Sequence, residues 1–270
     1  MALDFRQLMR EERERARREQ AATASNNANN TTTTSNTTSV SDAAAPAPIE
    51  RSPVDANFEA PLRSWSQRTE LDVEQHAVQG ISRAYYIPDW ISKPEEQAIL
   101  ECVYAISDDD DAVWVKLKRR RLQMWGGEVK SPFCALPLPA WLLQIVQGLV
   151  DARVFSEAHR PNHALINEYD VGEGIMPHED GPSYFPFVAI ISTGADSVVT
   201  FEPHRKLLQS DIPDNQPASF QPTVMSKLTF PLKRRSLLLF TEDAYTKYLH
   251  SIDGVEHGKR VSLTIRHVSL

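Results

Sequence analysis

Hydrophobic and polar positions follow two different repeats along the chain, one after the other. Apolar residues first recur at helical spacing, which predicts helices over residues 94–105 and 139–151. Ser92 followed by Glu95 matches a capping box at the start of the first helix. From residue 163 onward the pattern changes to short segments separated by turns. The folded part is therefore predicted to place two helices ahead of most of its strands.

The short apolar segments have the length and the turn-rich boundaries of β-strands. They cover residues 84–88, 113–117, 164–169, 174–178, 187–192, 197–201, 236–241 and 260–267. This order predicts a mostly β fold with flanking helices and a jelly-roll core, also called a double-stranded β-helix. A polar, Pro-containing stretch over residues 202–227 is long for an internal loop and is predicted to be an insertion.

The first 80 residues lack the pattern of a packed core. Residues 1–20 carry Arg and Glu at helical spacing, which predicts a charged, solvated helix. Such a helix either has no partner or docks on a protein partner. An Ala/Asn/Thr/Ser tract over residues 21–49 predicts a disordered tail, and residues 50–80 a linker. The expected division is a tail and linker over residues 1–80 and one domain over residues 81–270.

The composition restricts the classes of partner. The net charge is −7, so binding to nucleic acid would require a local basic patch rather than overall attraction. The chain has no apolar run of about 18 residues, so no membrane span is predicted. The N-terminal residues lack the apolar region of a secretory signal, and their acidic residues disfavour a mitochondrial transit peptide. We expect a monomer in the cytoplasm and nucleus.

Candidate metal ligands occur as a His-x-Asp pair, His178 and Asp180. Residues two apart point to the same face of a β-strand. An imidazole from a distant strand would complete a 2-His-1-carboxylate triad, which holds Fe(II) and leaves positions open for a co-substrate and oxygen. His250 is the preferred third ligand because it lies ten residues before Arg260, enough for a turn and a return onto an adjacent strand. His257 is the alternative.

A strand near the C-terminus carries its charge on one face. Four polar side chains share that face and three aliphatic ones share the other: Arg260, Ser262, Thr264 and Arg266 against Val261, Leu263 and Ile265. Inside a barrel each arginine would need an anion, and a guanidinium suits a carboxylate. The other interpretation places both arginines on a solvated outer face. Asn167 and Tyr169 share a face of an earlier strand, where both can hydrogen-bond an oxyacid.

The polar motifs form a combination that resembles one known family. Asn167-Glu168-Tyr169, His178-Glu179-Asp180, His250 and the face from Arg260 to Arg266 together resemble the AlkB family of Fe(II)/2-oxoglutarate dioxygenases. The resemblance covers roughly residues 81–270. Segments 122–127 and 174–182 are similar to those of the eukaryotic AlkB homologues numbered sixth. Ser262 stands where the family commonly has Asn, which puts one minor polar contact in doubt.

The resemblance implies a cofactor and two co-substrates. His178, Asp180 and His250 would hold Fe(II). 2-Oxoglutarate would chelate the iron through its keto-acid end and pair its distal carboxylate with Arg260, and the residues that help to bind it would be Asn167, Tyr169, Ser262, Thr264 and Arg266. Oxygen would convert 2-oxoglutarate to succinate and carbon dioxide while a C–H group of the substrate is hydroxylated. An N-methyl group would then leave as formaldehyde.

A basic run precedes these motifs and offers candidate substrate contacts: Lys118, Arg119, Arg120, Arg121 and Trp125. An enzyme that acts on a base must reach it single-stranded or flipped out, and this segment offers phosphate contacts beside a stacking aromatic. The charges could equally form a solvated face or a nuclear-localisation signal, and Trp125 could be a core anchor.

Three functions remain open at this point. The first is oxidation of alkylated nucleic acid, RNA or DNA. The second is the same chemistry on a protein side chain, with which the acidic net charge is compatible. The third is a catalytically silent binding module, against which the complete set of three ligands and two arginines argues.

Overall fold

The computed structural model describes residues 68–204, 207 and 226–269. The charged helix predicted over residues 1–20 and the tail predicted over residues 21–49 lie outside the described residues. So do residues 50–67 of the predicted linker and residues 205–206 and 208–225 of the predicted insertion. The predicted division at residue 80 therefore stays a prediction. Among the described residues, no helix has the length and apolar character needed to cross a membrane.

The described chain contains thirteen strands and three α-helices. The helices are α1 (Lys93–Tyr104), α2 (Ala140–Asp151) and α3 (Glu242–Thr246). The strands are β1 (Ala84–Ile87), β2 (Val115–Lys116), β3 (Arg121–Trp125), β4 (Gly127–Glu128), β5 (Cys134–Ala135), β6 (His163–Tyr169), β7 (Ile175–His178), β8 (Phe187–Thr193), β9 (Ser197–Pro203), β10 (Leu228–Leu232), β11 (Leu237–Thr241), β12 (Tyr248–Ile252) and β13 (Arg260–Arg266). Short 3₁₀ helices cover Val73–His76 and Glu157–His159.

Two antiparallel sheets form the body of the domain. The major sheet has seven strands in the order β1-β11-β8-β13-β6-β3-β2, and the minor sheet has four in the order β10-β9-β12-β7. A separate hairpin pairs β4 with β5. Two antiparallel sheets with helices beside them confirm the predicted mostly β fold with flanking helices.

The major sheet is covered on both faces. On its outer face, α1 and α2 pack their apolar sides against Ile166, Ala189, Leu239 and Leu263. On its inner face, Leu165, Ile190 and Leu238 meet residues of the minor sheet, such as Val199, Phe201 and Ile252. Strands buried on both faces read as continuous apolar runs, which explains why β8 and β11 lack a clear alternation.

The helix boundaries follow local chemistry. The Ser92 side chain accepts a hydrogen bond from the backbone of Glu95, and the Glu95 carboxylate accepts one from the Ser92 backbone at 2.7 Å. This is the predicted capping box, and Pro94 stands in the first turn, where its missing N–H costs no helical bond. Both long helices agree with the predicted bounds to within one residue.

The strand prediction missed five elements, β3, β4, β5, β10 and β12. Strand β3 begins inside the basic run, whose charges obscured its alternation. The expected geometry around the last strand was also wrong. His250 lies on β12 in the minor sheet, whereas Arg260 begins β13 in the major sheet, so the two strands face each other across the core rather than pairing.

Candidate functional site

The three candidate metal ligands meet between the ends of two paired strands. His250 on β12 lies directly opposite His178 on β7, and the two ring centroids are 4.3 Å apart. Asp180 lies two residues past the end of β7, in the following turn, rather than on the strand as expected. The ligand atoms of the three residues all lie within 4.8 Å of one another, and all three side chains are buried. Among the described residues this is the one such group, and its chemistry suits a metal ion.

A β-bulge directs His178 towards this centre. The register of β7 against β12 shifts between the pairs His178–His250 and Ile175–Ile252, so Met176 and Pro177 together lie opposite the single residue Ser251, and β7 has one extra residue. Bulges often re-aim side chains beside active sites. The Met176 carbonyl accepts a hydrogen bond from Nδ1 of His178 at 2.9 Å. Since a carbonyl can only accept, Nδ1 carries the proton and Nε2 is the nitrogen available to a metal.

Burial keeps both imidazoles in the form that binds metal. The pKa of His178 lies well below its usual value, first because burial disfavours the charged ring and then because His250 is close. Burial also lowers the pKa of His250. Neutral imidazole and ionised carboxylate are the ligand forms that a divalent cation requires.

Arg266 supports the carboxylate of the site. Its Nη1 donates to Oδ1 of Asp180 at 2.6 Å, and both side chains are buried. The guanidinium also lies 3.9 Å from the ring centroid of Tyr184. Burial alone would lower the pKa of Arg266, but Asp180, Tyr184 and Tyr245 together outweigh it and raise the pKa. The second carboxylate oxygen, Oδ2, has no hydrogen-bond partner among the described residues and is available to a metal.

Arg260 places a second buried charge at the other end of the same strand face. Its Nη2 donates to Oγ of Ser192 at 3.1 Å, and the Tyr169 ring centroid lies 5.4 Å from its guanidinium carbon. Its Nε and Nη1 have no hydrogen-bond partner among the described residues. Burial lowers the pKa of Arg260 to about 10. A buried cation with spare donors requires an anion, and a carboxylate fits it.

One cavity joins the metal ligands to Arg260. Its polar lining includes every residue predicted to bind metal or 2-oxoglutarate: His178, Asp180, His250, Asn167, Tyr169, Arg260, Ser262, Thr264 and Arg266. Apolar walls complete it with Leu165, Ile175, Ile190, Val199 and Ile252. The alternating faces of β13 are as predicted, because Val261, Leu263 and Ile265 belong to the cluster under the helices. His257 is exposed in the turn before β13 and takes no part in the cavity.

The comparisons with known proteins agree with this geometry. The family model described as the 2OG-Fe(II) oxygenase superfamily matches residues 114–266, more than half of the chain. A Danio rerio protein named "Probable RNA/DNA demethylase ALKBH6" is 37% identical over 226 residues, which cover 73% of this chain and 91% of that protein. The chain belongs to the AlkB family of 2OG-Fe(II) oxygenases. It is therefore an oxidoreductase that uses Fe(II), 2-oxoglutarate and oxygen.

Two more distant matches are a viral protein and a solved structure. An Acanthamoeba polyphaga mimivirus protein named "Uncharacterized protein L905" is 24% identical over 197 residues, covering 67% of this chain and 83% of that protein. The solved structure of OsALKBH1 has a TM-score of 0.48 at 11% identity, covering 69% of this chain and 99% of that one.

The predicted substrate contacts of this AlkB-family chain are only partly where they were expected. Trp125 is buried against the helices on the outer face of the major sheet, and its Nε1 donates to Oε1 of Gln123 at 3.1 Å. The prediction that it stacks on a base is wrong, because the ring lies across the sheet from the cavity. The interpretation as a core anchor is the correct one.

The basic run is likewise divided by the fold. Arg121 makes two hydrogen bonds to Glu168, at 2.7 and 3.0 Å, so its charge is already neutralised. Arg120 is buried, and its charge contributes to lowering the pKa of His178, after the larger effects of burial and His250. The prediction that Arg120 and Arg121 contact phosphate at the surface therefore does not fit their positions in the fold. Lys118 and Arg119 remain exposed, and Nη2 of Arg119 donates to the Gly172 carbonyl at 2.9 Å.

Two residues that shape the AlkB site were not identified from the sequence. Ser192 contacts Arg260, and the Met176 carbonyl orients His178. Ser192 had a detectable signal, since it is a hydroxyl in an otherwise apolar run that reads Phe187 to Ser192. A backbone carbonyl leaves no such signal in a sequence.

Proposed function

We propose that this protein oxidises N-alkyl groups on the bases of a nucleic acid, RNA or DNA. Membership of the AlkB family and the name of the Danio rerio relative support this proposal. The observation that carries it is the shared cavity, which has three metal-ligating side chains near one end of β13 and an incompletely paired buried arginine near the other.

Each end of the cavity has its own task. His178, Asp180 and His250 would hold Fe(II), while the hydrogen bond from Arg266 orients the Asp180 carboxylate. Arg260 binds the distal carboxylate of 2-oxoglutarate. The bound iron supplies the oxidation in which oxygen and 2-oxoglutarate become succinate and carbon dioxide and an alkyl C–H group is hydroxylated. The fold supplies positioning and a water-poor cavity.

Four further polar side chains line the cavity between these ends. Asn167 and Ser262 pair across β6 and β13, as do Tyr169 and Arg260. With Thr264 they place hydroxyl and amide groups along the path that a five-carbon dicarboxylate would occupy. We assign them to orienting 2-oxoglutarate.

The nucleic acid is proposed to meet the protein at Lys118 and Arg119. Both are exposed, and Arg119 is bonded to the turn that leads from β6 to β7 and so to His178. Two exposed cations on a chain of net charge −7 make a small phosphate contact. Binding is therefore expected to be weak and to favour a single strand, whose base reaches the cavity without unpairing.

The proposal is tested by following nucleosides and succinate together. Wild-type protein is incubated with Fe(II), oxygen, 2-oxoglutarate and oligonucleotides that carry N-methylated bases, as single-stranded RNA or DNA, and products are quantified by mass spectrometry. We expect demethylated base, formaldehyde and succinate in equal amounts, all abolished by His178→Ala. A methylated peptide forms the parallel arm. If only the peptide is turned over, the substrate is a protein rather than a nucleic acid. If no succinate forms with any substrate, the interpretation as a catalytically silent binding module is the one that remains.

Location and assembly stay predictions. Presence in both cytoplasm and nucleus is tested by imaging the tagged full-length chain. The monomer is tested by light scattering. Capture of a protein by residues 1–20, lost when its arginines become glutamate, would support docking of the N-terminal segment.

A further inference from the structure

Ser192 is a buried hydroxyl that contacts the arginine at the distal end of the cavity. It lies on β8 and is fully buried, and its Oγ accepts the hydrogen bond from Nη2 of Arg260 at 3.1 Å. Ser262 on β13 lies opposite Ser192 in the register, so Arg260 is its diagonal neighbour. A diagonal neighbour is within reach of a long side chain.

Two backbone hydrogen bonds hold Ser192 against residues 235–236, which fixes the point from which its side chain extends. Its N–H donates to the Ser236 carbonyl at 3.0 Å, and its carbonyl accepts from the N–H of Arg235 at 2.7 Å. Close by, Gly194 has a φ of +77°, and a Cβ there would lie 2.3 Å from the Lys259 carbonyl. The end of β8 therefore packs tightly against the start of β13, where Arg260 begins.

Two contacts together restrict the guanidinium of Arg260. The Ser192 hydroxyl holds one nitrogen, Nη2, while the Tyr169 ring lies 5.4 Å from the guanidinium carbon. The donors Nε and Nη1 have no partner within the described ranges 68–204 and 226–269. The fixed nitrogen thus determines where the remaining donors point. An arginine held in its bound geometry loses less freedom when a ligand arrives, which strengthens binding.

We propose that Ser192 is a positioning residue that holds Arg260 ready for the distal carboxylate of 2-oxoglutarate. This rests on the proposed role of Arg260. Ser192 acts through Arg260 and makes the site select dicarboxylate keto acids over monocarboxylate ones. Its effect is therefore confined to ligands that reach Arg260.

The experiment compares two keto acids that differ in the distal carboxylate. Binding of 2-oxoglutarate and of 2-oxobutanoate is measured by calorimetry with Mn²⁺ in place of Fe(II), so that no turnover occurs. For Ser192→Ala we expect the Kd of 2-oxoglutarate to rise about 10-fold, because one charge-assisted hydrogen bond to Arg260 is lost. The Kd of 2-oxobutanoate should not change. Ser192→Thr keeps a hydroxyl and should restore most of the affinity.

Thr193→Val is the matched control. Thr193 is the next residue on β8, is equally buried, and donates its hydroxyl to the Val261 carbonyl at 3.0 Å rather than to Arg260. It should lower the melting temperature without altering either Kd. If Ser192→Ala aggregates, Ser192→Cys makes the same comparison, since a thiol is a weak acceptor of similar size.

The outcomes separate this inference from the proposed function. If Ser192→Ala leaves the Kd of 2-oxoglutarate unchanged, or raises both Kd values equally, Ser192 is only structural. The same conclusion follows if Thr193→Val gives the same rise. If Arg260→Met leaves 2-oxoglutarate binding intact, the proposed role of Arg260 fails, whatever Ser192 does.

Discussion

Arg260 and Arg266 offer a direct test of the roles assigned to the two ends of the cavity. Both begin or end β13 on the same face, and both are fully buried, but only Arg266 has an acidic side chain as a hydrogen-bonding partner among the described residues. Replacing either by Met keeps a similar length and removes the charge. The two substitutions should change the stability of the ligand-free protein in opposite directions.

The magnitude for Arg260 follows from its pKa, which burial lowers from 12.5 to about 10. A buried charge with that pKa costs the folded state about 3 kcal/mol at neutral pH. The cost is present below the folded pKa and would disappear only as the pH rises towards the unfolded value. Arg260→Met removes the cost, so we expect the melting temperature of the ligand-free protein to rise by about 2–4 °C per kcal/mol gained.

Arg266→Met should do the reverse. It leaves the buried Asp180 carboxylate without its partner at 2.6 Å. Breaking a buried pair in this way typically costs about 3–5 kcal/mol. Without metal, the melting temperature should fall by about 6–20 °C. The measurement is differential scanning fluorimetry in a chelating buffer, repeated with Mn²⁺ and increasing 2-oxoglutarate.

Ligand binding completes the test. Arg260→Met loses two or more charge-assisted bonds to the distal carboxylate, each worth about 1.5–3 kcal/mol. The affinity for 2-oxoglutarate should fall roughly 10²- to 10⁴-fold, and the rise in melting temperature with 2-oxoglutarate should vanish. The reasoning is refuted if Arg260→Met lowers the ligand-free melting temperature as much as Arg266→Met does.

Three further predictions concern the metal ligands, the exposed basic residues and the stability of the protein at acidic pH. His250→Ala should abolish tight binding of Mn²⁺, measured by calorimetry, while His257→Ala should not, because His257 is exposed outside the cavity; the reverse pattern would overturn the ligand set. Changing Lys118 and Arg119 together to Ala should weaken binding of a single-stranded oligonucleotide and reduce the slope of log K against log salt by about 1–2. The control variant Trp125→Phe should lower the stability of the protein but leave oligonucleotide binding unchanged. Equal binding by the wild type and the double variant would exclude this phosphate contact. The pKa of Glu168 is lowered because the hydrogen bonds of Arg121, Tyr104 and Lys259 outweigh burial, so its contribution to stability is present above the unfolded pKa and is lost as pH falls through the folded pKa. Glu168→Gln should therefore weaken the pH dependence of the free energy of unfolding, measured with denaturant, below about pH 4.5. An unchanged pH dependence in this acidic range would contradict the argument.

The parts of the site that could be predicted are those that a strand's repeat encodes. The alternation of Arg260, Ser262, Thr264 and Arg266 with aliphatic residues fixes one polar face, and burial decides which side it takes. Asn167 and Tyr169 follow the same rule on β6. A period of two is local, so a single sequence reveals it without knowledge of the partner strand.

The parts that were wrong depend on long-range pairing. His250 could not be assigned to the minor sheet, because the choice of sheet depends on strands β7 and β9, which lie far away in the chain. Arg121 looked like a free cation until β3 placed it beside Glu168 on β6. The charge of a residue is visible in a sequence, but whether that charge is already neutralised is decided by register.

This distinction also explains which arginines are expected to be functional. Arg121 and Arg234 each make at least two hydrogen bonds to a buried glutamate, so their charges are compensated within the fold. Arg260 is buried more deeply than either, yet its hydrogen bond within the described residues goes to the neutral hydroxyl of Ser192. A compensated pair stabilises the fold whether or not a ligand is present. An uncompensated cation destabilises it until an anion binds, so the same residue couples the affinity for 2-oxoglutarate to the stability of the fold.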